Sequence, residues 1–115
     1  MTDYFIKAIM LENCPYSINA DKIIKQYNLP HKILWIDNNS KNKYVNNMIQ
    51  TFPQIYLKKE NAMNSLLLGG YTELQNFMNT FYDKYSENDI NKFMEINPRW
   101  SKKGTLRLIE LINNK

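Results

Sequence analysis

Apolar and polar positions alternate along the chain in blocks that predict strands and helices in turn. Residues 4–11 are apolar, β-branched or aromatic almost throughout, which is typical of a buried strand. Three shorter apolar blocks, at residues 32–37, 54–57 and 65–68, predict three further strands. Helical patterns lie between these blocks. The predicted order of elements is therefore βαβα followed by ββα.

Three helical segments complete this order. The first begins at Pro15, which suits the first position of a helix, and it ends at residues 28–30. Ser40 is predicted to cap the second helix. Thr72, with Gln75 three residues later, has the pattern of a capping box and predicts the start of the third. The apolar positions of these helices are Ile18, Ala20, Ile23, Ile24 and Tyr27 in the first, Tyr44, Val45, Met48 and Ile49 in the second, and Leu74, Phe77, Met78 and Phe81 in the third.

Residues 84–115 carry two more helical patterns. Ser86, followed three residues later by an aspartate, predicts one helix start, and an apolar face near the end of the chain predicts another helix. Two interpretations are open. The tail is a helical extension packed on the same domain as residues 1–83, or it is a docking surface for a partner, with Arg99 and Trp100 as its anchor.

Length and composition limit the class of protein. A chain of 115 residues can bury one core without disulfides or a structural metal. One cysteine and one histidine exclude an internal disulfide and an ordinary four-ligand zinc site. No apolar run reaches the ~20 residues that span a bilayer, so no membrane partner is expected. The first residues lack a signal-peptide pattern, and we therefore expect a reducing, cytoplasmic location.

The charge of the chain is concentrated in the tail. From Lys84 onward there are five lysines and two arginines against four acidic residues. An excess of this size is more typical of a solvated helical face than of a nucleic-acid interface. We therefore expect no nucleic-acid partner.

Cys14 is the main candidate for chemistry. It follows the first strand closely and precedes Pro15, so we expect it near the N-cap of the first helix. Backbone N–H groups at a helix start, with the positive end of the helix dipole, favour the thiolate, which is the nucleophilic form of cysteine. Ser17 is expected to point its backbone N–H and its hydroxyl at the sulfur. The pattern predicts a reactive thiol, and an inert buried thiol is the alternative.

Three motifs, in this order along the chain, resemble those of glutaredoxins. They are Cys14-Pro15-Tyr16-Ser17, Thr51-Phe52-Pro53-Gln54-Ile55 and Gly69-Gly70-Tyr71-Thr72-Glu73-Leu74. The resemblance covers residues 4–82. It implies a thioredoxin-like α/β fold, with a four-stranded mixed sheet flanked by helices and followed here by a C-terminal helical extension. It also implies glutathione as a co-substrate, and we expect a monomer.

The resemblance further implies roles for single residues. Cys14 would be the nucleophile and would carry glutathione covalently. The bond between Phe52 and Pro53 would be cis, which presents the backbone of Phe52 to the cysteinyl part of glutathione. Thr72 would donate its backbone N–H and hydroxyl to the γ-glutamyl carboxylate, and Gly70 would let the ligand approach closely. The other glutathione-binding residues that the motifs imply are Tyr16, Ser17, Thr51, Gln54 and Tyr71.

Two positions depart from the pattern of the family. Ser17 stands where a second cysteine is usual, which implies a monothiol mechanism that removes glutathione from mixed disulfides. Leu11 stands where a lysine commonly holds the glycyl carboxylate of glutathione. We therefore expect weaker glutathione binding, with Gln54, Lys41 or Lys43 as alternative partners of that carboxylate.

Three functions are open at this point. The leading one is a glutathione-dependent thiol–disulfide oxidoreductase without a metal, which reduces glutathionylated proteins or small mixed disulfides. The second is an iron–sulfur cluster carrier, in which two protomers each supply Cys14 and two glutathione molecules complete the ligation. Pro15 and Tyr16 depart from the glycine and phenylalanine that are usual in such carriers. The third is a catalytically weak interaction module that binds a protein or nucleic acid through the basic tail.

Overall fold

A four-stranded mixed sheet with α-helices packed against it forms the core, which confirms the predicted thioredoxin-like α/β fold. The computed structural model describes residues 3–113. Its strands are β1 (Tyr4–Leu11), β2 (His31–Ile36), β3 (Gln54–Lys59) and β4 (Ser65–Gly69), its α-helices are α1 (Pro15–Gln26), α2 (Tyr71–Phe81), α3 (Glu87–Ile96) and α4 (Lys102–Ile112), and a 3₁₀ helix spans Asn38–Lys43.

The order of strands in the sheet is β2-β1-β3-β4. β1 is parallel to β2 and antiparallel to β3, and β3 is antiparallel to β4. Because β1 lies inside the sheet, the chain leaves its carboxyl end beside both β2 and β3. The turn that follows β1 leads directly to Cys14 and α1. The sheet therefore places the cysteine at the carboxyl end of β1, where several loops meet.

One face of the sheet and the α-helices form the main core. Ile6, Ala8 and Met10 alternate along β1 and are all buried on this face, as the period of a strand requires. Helix α1 buries Ser17, Ala20 and Ile24. Ile18, which the pattern placed among the apolar positions, is partly exposed. The other buried residues of this core include Ile55, Leu57, Leu68, Leu74, Phe77, Met78 and Phe81.

The prediction of a second α-helix, capped by Ser40 and extending to Ile49, is wrong. Asp37, and not Ser40, caps the short 3₁₀ helix, and its carboxylate accepts a hydrogen bond from the backbone N–H of Ser40. Irregular chain follows instead of a continuing helix. The side chain of Asn46 accepts hydrogen bonds from the backbone N–H groups of Met48 and Ile49, at 2.8 and 3.1 Å. Such local bonds offer the backbone an alternative to helical pairing.

This irregular segment still covers part of the second face of the sheet. Tyr44 and Val45 pack against a small buried cluster of Ile9, Ile36 and Phe52. Elsewhere on that face, Leu34 is 47% exposed and Phe5 is only 7% exposed.

The C-terminal helices pack onto the sheet and α2. Trp100 is only 4% exposed, and its indole N–H donates to the carbonyl oxygen of Leu67 in β4, at 3.0 Å. Ser86 and Asp89 form the predicted capping box at the start of α3. The interpretation that Trp100 anchors a docking surface is therefore wrong, because its ring lies in the core. The boundary between the two predicted segments, after residue 83, stays a prediction.

Among residues 3–113, none of the helices has both the length and the apolar character needed to cross a membrane.

Candidate functional site

A cleft of about 430 Å³ lies where the carboxyl end of β1 meets the starts of α1 and α2. Segments that are distant in the sequence meet in this cleft, since the sheet brings the cysteine turn, the loop before β3 and the loop after β4 together. The residues that line it are Leu11, Cys14, Tyr16, Lys41, Gln50, Thr51, Phe52, Gly70, Tyr71, Thr72 and Glu73.

Cys14 is the N-cap residue of α1, as the sequence predicts. Pro15 takes the first helical position, and the carbonyl oxygen of Cys14 accepts the first intrahelical bond, from the N–H of Ile18 at 3.0 Å. Asn13 has φ of 61°, a left-handed conformation that asparagine tolerates and that turns the chain out of β1 into the helix. The Cys14 side chain is half-buried in the cleft. It lies at the positive dipole end of the first helical turn, although its sulfur accepts no capping hydrogen bond.

Ser17, which was predicted to bind glutathione, is not among the residues that line the cleft. It is fully buried, and its hydroxyl oxygen accepts a hydrogen bond from the backbone N–H of Leu11, at 3.0 Å. The reason is helical periodicity, because Ser17 shares the inward face of α1 with Ala20 and Ile24. Its contribution is to tie the start of α1 to the end of β1.

The loop before β3 supplies a second wall of the cleft. The bond between Phe52 and Pro53 is cis, as predicted, and Thr51 and Phe52 line the cleft. Pro53 is buried and does not line it. A Cβ added to Gly70 would lie 3.4 Å from the carbonyl oxygen of Pro53, an ordinary van der Waals contact, so the two loops lie side by side here.

Gln54 is also turned away from the cleft, contrary to its predicted role. It is fully buried. Its side-chain amide donates to the carbonyl oxygen of Tyr44 at 2.9 Å, and its side-chain oxygen accepts from the hydroxyl of Tyr56 at 3.3 Å. Gln54 thus holds the irregular segment after the 3₁₀ helix against the sheet, and it is not available to bind a carboxylate.

The start of α2 differs from the predicted cap at Thr72. Gly70 is the N-cap residue, and Thr72 lies in the first helical turn. The side chain of Glu73 accepts a hydrogen bond from the N–H of Gly70, at 2.7 Å. Gly69 has φ of 136°, which strongly favours glycine there. The sequence pattern of a side-chain cap does not indicate this start, because glycine has no side chain with which to cap the helix.

Two tyrosines flank Cys14 in the cleft. Tyr16 is 61% exposed, and the centre of its ring lies 6.2 Å from that of Tyr71. Both side chains line the cleft. The pair forms an aromatic wall that an extended ligand would contact along its apolar parts.

The cleft also contains residues that the motifs did not assign. Leu11, where a lysine was expected, forms part of the wall. Of the two lysines named as alternative carboxylate partners, Lys41 lines the cleft and Lys43 does not. Gln50 and Glu73 were not predicted. Glu73 had a signal in the sequence, since it stands three residues after the N-cap glycine, where a capping carboxylate is common; Gln50 had none.

Within residues 3–113, no group of three or more histidine, cysteine, aspartate or glutamate side chains could hold a metal ion.

A family model described as glutaredoxin matches residues 4–61, half of the chain. The chain belongs to the glutaredoxin family. The match includes Cys14 and the cis-proline loop and ends before Gly69, so the glycine-rich third motif lies outside it. No curated protein matches the chain. Membership of the glutaredoxin family supports a thiol–disulfide oxidoreductase type of function. Glutaredoxins generally use glutathione as a co-substrate.

Proposed function

We propose that the protein is a monothiol glutaredoxin that removes glutathione from mixed disulfides through Cys14. The observation that carries the proposal is the position of its only cysteine, half-buried at the N-cap of α1 and facing a cleft. A helix start favours the thiolate. With one cysteine in the chain, the mixed disulfide formed at Cys14 must be resolved by an external thiol.

The reaction has two half-reactions. The Cys14 thiolate attacks the glutathionyl sulfur of a protein–glutathione disulfide, which forms a disulfide between Cys14 and glutathione and releases the protein thiolate. That thiolate takes a proton from water. A second glutathione thiolate then attacks the glutathionyl sulfur on Cys14, which releases oxidised glutathione and regenerates the Cys14 thiolate. One free glutathione thiol is oxidised for each protein–glutathione mixed disulfide that is reduced, and the other half of the oxidised glutathione comes from that mixed disulfide.

The groups that line the cleft match the polar groups of glutathione. The backbone of Phe52 can pair with the cysteinyl residue of glutathione as an added strand does. The N–H and hydroxyl of Thr72, in the first turn of α2, can donate to the γ-glutamyl carboxylate. The carboxylate of Glu73 can accept from the γ-glutamyl ammonium. Lys41 is the cationic side chain among the lining residues, and we assign it to the glycyl carboxylate.

The test compares two substrates in the presence of glutathione. The first is a protein carrying a single glutathione mixed disulfide, and the second is a protein with one internal disulfide and no glutathione. We expect turnover with the first, with a Cys14–glutathione adduct visible by mass spectrometry under substoichiometric glutathione, and little turnover with the second. Faster reduction of the internal disulfide, or an adduct that never forms, would contradict the monothiol mechanism.

Lys41 provides a separate prediction about glutathione binding. Lys41→Gln removes the positive charge that we assign to the glycyl carboxylate, and we expect KM for glutathione to rise about twofold to fivefold, as for a partly exposed ion pair, while kcat changes little. Steady-state kinetics at varied glutathione measures this. Lys43→Gln is the matched control, because Lys43 lies on the same 3₁₀ helix and does not line the cleft.

A second substitution tests the assignment of Lys41 by restoring a positive charge to the cleft. Leu11 lines the same cleft, so Leu11→Lys introduced into the Lys41→Gln variant places a new cation there. We expect this double variant to recover most of the lost affinity for glutathione. An equal rise of KM in Lys41→Gln and Lys43→Gln, or no recovery in the double variant, would show that the glycyl carboxylate lies elsewhere.

A further inference from the structure

A second cavity, of about 480 Å³, lies on the sheet face that the irregular segment covers in part. It has no lining residue in common with the cleft at Cys14. We call the surface that lines this cavity the basic face. Five of its residues define it: Lys7 of β1, Lys32 of β2 and Lys58 of β3, together with Phe5 and Leu34.

The basic face lies on the side of the sheet that the irregular segment after the 3₁₀ helix covers in part. Tyr44 and Val45 pack against the cluster that includes Ile9 and Ile36, and Tyr44 also lines the cavity. Beyond them, the apolar side chain of Leu34 is 47% exposed. Covering an apolar side chain that is this exposed on an outer strand is favourable, because its surface is removed from water.

The three lysines of this face lie close together. Lys7 and Lys32 are direct partners in the parallel register, on strands about 4.8 Å apart. Lys58 is paired with Phe5, so it lies diagonally across from Lys7. Like charges that face each other across strands are destabilising. The arrangement costs stability in the free protein, and an anionic partner would remove that cost.

The acidic side chains available to neutralise this face are few. Among the residues that line the cavity, Glu60 is the acidic one, and it is paired with Lys32 at 3.3 Å. The amine of Lys58 donates to the carbonyl oxygen of Ala62. Lys7 makes no ion pair with any residue in the described range 3–113, and its amine lies over the ring of Tyr56. Two positive charges of the face thus have no carboxylate partner in this part of the chain.

The aromatic rings of the face help to identify the class of partner. The Lys7 amine lies 5.5 Å from the centre of the Tyr56 ring, and the Lys32 amine lies 4.6 Å from that of Phe5, which is itself only 7% exposed. Single-stranded nucleic acids bind by stacking bases on free aromatic faces. The two rings already carry lysine amines, which disfavours nucleic acid. A second copy of the chain would bring the same positive charge and be repelled.

We propose that the basic face binds an acidic peptide segment of a partner protein, with carboxylates on Lys7, Lys32 and Lys58 and an apolar side chain over Leu34. Such a segment supplies both the negative charge and the apolar contact that the face lacks. The proposal does not rest on the proposed function, because the basic face and the cleft share no lining residue.

The test is a titration of the isotope-labelled full chain, followed by nuclear magnetic resonance. The probe is a synthetic peptide of about twelve residues that repeats the sequence Glu-Glu-Leu-Leu, the length of a typical docked segment. Its control probe has glutamine in place of glutamate. The combined variant Lys7→Gln, Lys32→Gln and Lys58→Gln is compared with Lys22→Gln, Lys84→Gln and Lys103→Gln, which removes the same charge from exposed positions elsewhere.

We expect the acidic probe to shift amide signals of β1, β2 and the start of the turn after β3, and to bind at least tenfold more weakly to the variant of the basic face. The control variant should change the affinity less than twofold, and Cys14→Ser should bind the probe as the wild type does. Equal losses in both lysine variants, absence of binding by the acidic probe, or tighter binding of an oligothymidylate or of inorganic phosphate to the same amides would overturn the proposal. Thermal unfolding of each variant verifies that it is folded.

Discussion

Replacing Cys14 with serine is expected to abolish glutathione-dependent turnover, with a fall in kcat/KM on the order of 10³-fold or more. A serine hydroxyl is protonated at neutral pH and is a far weaker nucleophile towards a disulfide than a cysteine thiolate. No other thiol of the chain can take over, since Cys14 is its only cysteine. The measurement is the initial rate of reduction of a small glutathione mixed disulfide, monitored by the formation of oxidised glutathione.

Ile18→Ala is the matched control for this experiment. Ile18 lies in the same first part of α1, is partly exposed and does not line the cleft. We expect its kcat/KM to stay within about twofold of the wild type, as for an exposed substitution away from the reacting atoms. Substantial turnover by folded Cys14→Ser would mean that the activity does not pass through the sulfur, and a comparable loss in Ile18→Ala would mean that the helix start as a whole had been disturbed.

Removing the side chain of Trp100 is expected to produce the largest loss of stability. Trp100→Ala should lower the free energy of unfolding by about 3–5 kcal/mol, as for other buried large aromatic residues. The substitution leaves a cavity beside Phe93, whose ring centre is 5.6 Å from that of Trp100, and it removes the donor to the carbonyl oxygen of Leu67. Urea unfolding followed by circular dichroism measures the effect as a lower midpoint at unchanged slope.

The other tryptophan of the chain supplies the control. Trp35, in β2, is 37% exposed, and we expect Trp35→Ala to cost about 1 kcal/mol. Trp100→Phe keeps a ring in the core but loses the hydrogen bond and part of the indole volume, so its expected cost is intermediate, about 2 kcal/mol. If Trp100→Ala and Trp35→Ala destabilised the protein equally, the packing of the C-terminal helices against β4 would not contribute to the fold as described.

The elements that the sequence predicts well are those decided by regular side-chain patterns. β1 is found with its bounds, because eight consecutive residues read as a strand, and the start of α3 is found because Ser86 and Asp89 form a complete capping box. The helix after Ser40 was wrong for a local reason. Asn46 bonds to nearby backbone groups, and this competition between side chain and helix is not visible in the spacing of apolar residues.

The residues of the cleft divide according to what brings them there. Thr51, Phe52 and Gly70 line the cleft because the loops that contain them meet there. The sequence motifs identify these loops, and so they identify these residues correctly. Ser17 and Gln54 belong to the same motifs but already lie inside α1 and β3, where periodicity decides which way a side chain points. Their burial depends on what covers each face. That information lies in tertiary packing and not in the motif.

The two outer strands of the sheet have different surroundings. β4 is closed, because the indole of Trp100 donates to the carbonyl oxygen of Leu67 and a Cβ added to Gly104 of α4 would lie 3.1 Å from Leu66. Within residues 3–113, no strand pairs with the outer side of β2. A sheet with one free edge can pair with one further strand, and then both of its edges are occupied. Association through the free edge of β2 would therefore join two chains and leave no second free β2 edge for a third.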